Sequence, residues 1–164
     1  MLMYICIIVT IFIIVFLCKI SYDYRLFKKS PNYAMSFKES LDLANLPIVT
    51  MYQGNNKIHF LLDTGSTDNM IDSNYTILNY KNIENECANL TGIGGTQQTE
   101  LIELNLFYKD KEFVVDALKL DMSNTFGVIK QNTGIQLHGI LGSSFFNKYK
   151  YILDYYNMIA YPKK

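Results

Sequence analysis

The chain has 164 residues with 15 basic and 15 acidic side chains, and it is 49% hydrophobic and 14% aromatic. That length allows one domain of ordinary size and an appendage. The charge balances and the lysines are scattered rather than clustered with aromatics, which excludes a basic nucleic-acid groove, so no nucleic acid is expected as a partner.

Residues 1–17 carry no charged side chain and residues 1–20 carry only Lys19. At about 1.5 Å of rise per residue, a helix of that length crosses a hydrocarbon core of about 30 Å. Residues 1–20 are therefore read as a single-pass transmembrane anchor. A cleaved signal peptide is the rival reading. It would place basic residues ahead of the apolar run and a small-x-small site behind it, and Phe16-Leu17-Cys18-Lys19 supplies neither. Cys18 as a site of lipid attachment is a third reading, opposed by the bulk of Phe16 and Leu17.

Lys19, Arg25, Lys28 and Lys29 lie at or beyond the end of the span and no side-chain charge precedes it, so the domain that follows leans toward the cytoplasm. Cys87 is the one cysteine beyond the span, which leaves the soluble part without an internal disulfide. Asn74-Tyr75-Thr76 and Asn89-Leu90-Thr91 fit the glycosylation acceptor pattern, which matters only for a lumenal domain.

Residues 21–45 are mixed and polar, broken by Ser30-Pro31-Asn32, and read as a tether in which Ser36 to Ala44 fits a short helix. From residue 46 to 164 short apolar runs alternate with Gly, Asn and Asp, the pattern of a small all-β domain. Leu46 to Tyr52 and Lys57 to Leu62 read as a hairpin around Gln53-Gly54-Asn55-Asn56, and Asn69-Met70-Ile71 leads outward again.

Cys87 to Thr91 and Thr96 to Tyr108 read as a second hairpin whose tip is Gly92-Ile93-Gly94-Gly95. In its outgoing arm Ile102, Leu104 and Leu106 alternate with Glu103, Asn105 and Phe107, giving one buried face. The tip is either a glycine-rich turn in solvent or a backbone surface that lies against an extended ligand.

Glu112 to Leu120 reads as a strand, followed by a loop with Gly127 and Gly134. Gly139-Ile140-Leu141-Gly142 reads as a strand packed tightly under another backbone. Ser143 is expected to cap the short helix that runs to Lys148 and buries Phe145 and Phe146. Tyr151 to Asp154 and Met158 to Tyr161 form the last hairpin.

The first hairpin ends on Phe60-Leu61-Leu62-Asp63-Thr64-Gly65-Ser66-Thr67, an apolar strand that delivers a carboxylate into a turn. Gly65 permits the bend, and the hydroxyls of Thr64 and Ser66 are placed to orient the Asp63 carboxylate. Two such carboxylates side by side hold one proton between them; one member then polarises a peptide carbonyl while the other takes a proton from water. An ordinary turn, in which Asp and Gly are favoured, is the competing reading of the triplet alone.

Together the Asp63-Thr64-Gly65-Ser66 turn, the glycine tip, Ile140-Leu141-Gly142 and the Tyr151-Ile152-Leu153-Asp154 hairpin follow one another in a known order. Over about residues 46–161 the chain resembles the retropepsin-like aspartic proteases. The resemblance implies an acid-protease β-barrel with one short helix. It also implies catalysis by Asp63, turn support from Thr64, Gly65 and Ser66, and a substrate-binding flap at Gly92, Ile93, Gly94 and Gly95. Ile140-Leu141-Gly142 would brace the catalytic loop.

Only one Asp-Thr-Gly triplet occurs and no Asp-Ser-Gly, so the resemblance implies a homodimer with its two-fold axis between two copies of Asp63. The activity expected is that of a membrane-anchored aspartic endopeptidase acting on polypeptides without cofactor or metal. Its alternatives are a silent protease-fold module that binds extended peptides, and an unrelated membrane-tethered β-domain. His138 either tunes a pH response or is a hydrogen-bonded loop histidine, and His59 poses the same choice.

Overall fold

The structure, a computed structural model, describes residues 9–19, 21, 32–92 and 95–163, with residues 84–98 described by backbone alone. The chain divides into two compact units, Met1–Asn32 and Tyr33–Lys164. In the first, residues 9–19 form helix α1 with exposed side chains. No helix among the described residues is long and apolar enough to cross a membrane, and residues 1–8 and 20 of the expected span lie outside the described residues.

The second unit opens with β1 (Met35–Ser36) and α2 (Lys38–Ala44), so residues 33–45, read from sequence as the end of the tether, carry regular structure. The strands that follow are β2 (Ile48–Gln53), β3 (Asn56–Leu62), β4 (Asn69–Asp72), β5 (Lys81–Gly92), β6 (Gly95–Tyr108) and β7 (Lys111–Leu120). Then come α3 (Ser123–Thr133), β8 (Gly139–Leu141), α4 (Ser143–Tyr149), β9 (Tyr151–Asp154) and β10 (Ile159–Pro162).

Seven strands share one sheet in the order β2-β3-β8-β4-β7-β6-β5, and the pair Tyr52↔Phe107 joins β2 back to β6 to close a barrel. A smaller sheet, β1-β10-β9, is stitched to that barrel by the Tyr108 hydroxyl, which donates to the Ala34 carbonyl at 2.9 Å. Alternation sets the register, because a slip of one residue would turn every apolar side chain outward. Ile102, Leu104 and Leu106 of β6 are buried while Asn105 and Phe107 are exposed, as their spacing predicts. Gly54 adopts φ +58° in the β2–β3 turn, a conformation that glycine reaches without strain.

Three expectations change. While α2 falls where a short helix was expected in the tether, among the described residues of 46–164 there are two helices rather than one, because α3 occupies the segment read as a loop. Its sequence, with Gly127, Asn residues and β-branched side chains, has poor intrinsic helix propensity. Tertiary packing overrides that: Phe126 is buried against Ile48 and Leu137, and Gly134 ends the helix at φ +75°. Ser143 is not the cap of α4; Gly142 holds that position without a side-chain cap bond. Finally, β5 starts at Lys81 rather than Cys87, with a register shift between Asn82 and Cys87 that interrupts the pattern.

The main core lies inside the barrel and extends to α4 and the small sheet. Phe113, Phe145, Tyr149 and Tyr151 pack with centroids 4.9–5.7 Å apart for the pairs Phe113–Tyr149, Phe145–Tyr149, Phe145–Tyr151 and Phe113–Phe145. The Lys111 ammonium lies 4.8 Å from the Phe113 ring centre and 5.6 Å from that of Tyr151.

Candidate active site

Asp63 is the first residue past β3, half-buried, with Thr64 and Gly65 exposed beside it. Two contacts fix it. Its N–H donates to the Leu141 carbonyl at 3.0 Å, and its Oδ1 accepts the Gly65 N–H at 2.8 Å. Gly65 suits that close approach, since a Cβ there would stand 3.1 Å from the same oxygen and crowd it. The Ser66 N–H donates to the Asp63 carbonyl at 3.2 Å and completes the turn.

The hydroxyls behave differently from the sequence expectation. Ser66 Oγ donates to the Asp68 carbonyl at 2.8 Å instead of the Asp63 carboxylate. The Thr64 hydroxyl has no hydrogen bond among the described residues, whereas the Thr64 carbonyl accepts from Ser143 Oγ at 2.9 Å. Backbone groups therefore orient Asp63.

The strand and helix beneath close on this turn from one side. Ser143 N–H donates to the Ser66 carbonyl at 2.8 Å and Ser144 N–H to the Thr67 carbonyl at 3.0 Å. Gly142 lies so near that a Cβ would overlap the Asp68 carbonyl and stand 2.9 Å from the Ser66 carbonyl oxygen. Gly139 is equally restricted, against the Met70 carbonyl and the Phe60 ring. The two glycines around Ile140-Leu141 thus mark close backbone approach, as the sequence implies.

Asn69 is the residue that sequence reading missed. Buried on β4, it accepts the Gly142 N–H on Oδ1 at 3.0 Å and donates through Nδ2 to the Asp116 carbonyl at 2.9 Å. The signal was present: Asn69 shares a strand face with Ile71, two residues on, and a polar side chain on a buried face must find partners.

Of the expected flap, Gly92 and Gly95 pair at the end of the β5–β6 hairpin, while Ile93 and Gly94 lie outside the described residues. Leu61 and Ile140, opposite one another in β3 and β8, join the apolar cluster around Phe126. His59 and His138 stack at 5.4 Å, and both have lowered pKa values. Burial is the chief cause for each; Lys57 adds to it at His59, and His59 adds to it at His138. No group of three or more metal-ligating side chains comes together among the described residues.

Asp63 thus sits at the end of a strand, in a backbone-held turn on a closed barrel. The family model for retroviral aspartyl proteases matches residues 43–153, more than half of the chain and the whole of this site. The chain belongs to the retroviral aspartyl protease family. No curated protein matches it.

Proposed function

We propose that the protein is a membrane-anchored aspartic endopeptidase that works as a homodimer. Each chain supplies one Asp63, and the two carboxylates share a proton across the two-fold axis and activate a water between them. One carboxyl polarises the scissile carbonyl and the other accepts the proton from the attacking water, with no covalent intermediate. Thr64, Gly65 and Ser66 hold the geometry, and Gly92 to Gly95 close over an extended polypeptide whose backbone pairs with strand edges.

The observation that carries this reading is the clamp on Asp63: N–H to Leu141, carboxylate to Gly65, with the adjoining turn held by Ser143 and Ser144. A carboxylate presented so rigidly, with Thr64 and Gly65 open to solvent beside it, is suited to meet its copy across a two-fold axis. Residues 1–20 anchor the chain in a single pass, the domain faces the cytoplasm, and confinement to a membrane raises the local concentration for pairing.

The test is peptide cleavage by the full-length chain in detergent micelles, against Asp63→Asn, using a mixed peptide pool with mass-spectrometric readout. Wild type is expected to cut and the variant to lose at least about 100-fold in rate. Equal cleavage by both would refute the assignment. Folded dimers that bind peptides without cutting them would instead mark a peptide-binding module.

A further inference from the structure

His138 lies three residues ahead of the Leu141 carbonyl that holds Asp63, and it joins three segments. Its backbone N–H donates to the His59 carbonyl at 2.9 Å, and its ring Nδ1 accepts the His59 N–H at 2.9 Å. One residue thereby engages both backbone groups of His59 and extends the β3–β8 ladder, which begins at Phe60↔Gly139. On its other side the His138 carbonyl accepts the Asp72 N–H at 2.8 Å from the end of β4.

His138 is 9% exposed, and its ring lies 4.1 Å, centre to centre, from that of Tyr75. An Nδ1 that accepts a backbone N–H bears no proton of its own. Were it protonated, two N–H groups would face one another and a charge would be buried.

We infer that His138 is a positioning residue for the Asp63 turn: it latches β8 onto β3 only while its imidazole is neutral, so that acid loosens the turn. The inference rests on the reading of Asp63 as the catalytic carboxylate. The surroundings offer little to stabilise a cation. From β3, His59 and Lys57 contribute imidazole and positive charge, and His59 Nδ1 is already engaged with Thr50 Oγ1 of β2 at 2.9 Å. From the loop after β4, Tyr75 presents a neutral ring.

Asp72 is the one favourable charge, but its Oδ1 already accepts from Asn74 N–H, Asn74 Nδ2 and Met122 N–H, and that asparagine amide also bonds Asp121 ahead of α3. These groups leave the His138 pKa lowered to about 4, chiefly by burial. Between that value and the ordinary 6.5 the unfolded chain binds the extra proton, so stability is lost as pH falls through this window.

The test compares the full-length chain with its His138→Asn and His138→Leu variants. The Asn Oδ1 stands as many bonds from Cβ as the ring Nδ1, and it accepts the His59 N–H at every pH; Leu accepts it at none. Relative to wild type, His138→Asn is expected to lose less thermal stability as pH falls from 6.5 to about 4, and its acid limb of kcat/KM moves to lower pH. His138→Leu is expected to lose activity already at neutral pH, which Asn at the same position restores.

Identical pH dependence in wild type and His138→Asn overturns the latch. Should the Asn variant not fold, NMR titration of the wild-type ring decides: a midpoint near 4 supports the latch and one near 6.5 overturns it. If stability behaves as expected while no variant or wild type cleaves, the latch stands and the protease reading fails.

Discussion

The segment around β8 meets its neighbours in two different ways. At Gly142 the approach is backbone to backbone, so tight that a methyl group has no room, and it fixes the turn that carries Asp63. Through the side chains of Leu137 and Ile140 the same segment also joins a separate apolar cluster with Phe126 of α3, Ile48 and Leu61. The first arrangement tolerates no change in covalent structure, whereas the second depends on buried apolar area and on how well neighbours can settle into a gap. The turn that carries the carboxylate is thus held by the stricter of the two kinds of contact.

Gly142→Ala should break the comparison most severely. The added methyl meets the Asp68 and Ser66 carbonyls, and a cost of about 3 kcal/mol or more with loss of hydrolysis is expected, measured by denaturant unfolding and peptide turnover. Phe126→Ala should also cost about 3 kcal/mol in stability, but the surviving folded protein keeps its Asp63 turn and measurable activity. Equal loss of activity per folded molecule in both variants would show that the two kinds of contact are not distinct. The smallest effect sharpens the contrast: Gly127→Ala points into open space on α3 and should stabilise the domain by about 0.5–1 kcal/mol, seen as a raised Tm.

The same contrast explains what was legible in the sequence. Strands with one buried face announce themselves by alternation, as Ile102, Leu104 and Leu106 do, and glycines flanking Ile140-Leu141 announce close approach. The Asp63 turn was legible as chemistry, but not the donors that orient it: Gly65 N–H acts where the hydroxyls of Thr64 and Ser66 were expected.

Helix α3 was hidden because its stability comes from Phe126 packing on Leu137 and on Ile48, which is distant in sequence, rather than from local propensity. Its ends were marked all the same. Asp121 accepts the Ser123 N–H at 3.0 Å, and Gly134 takes the left-handed conformation. Asn69 stayed hidden for a related reason, since its partners Gly142 and Asp116 come from β8's end and β7.

The central claim is that one chain supplies half of a catalytic pair, and subunit mixing tests it most directly. Wild-type chain is co-folded with an equal amount of Asp63→Asn chain, and peptide cleavage is compared with the same quantity of wild type alone. Random pairing leaves about one dimer in four with both carboxylates, so activity per wild-type chain should fall to about half. Unchanged activity at full subunit exchange would mean that a single Asp63 suffices, and would contradict the shared dyad.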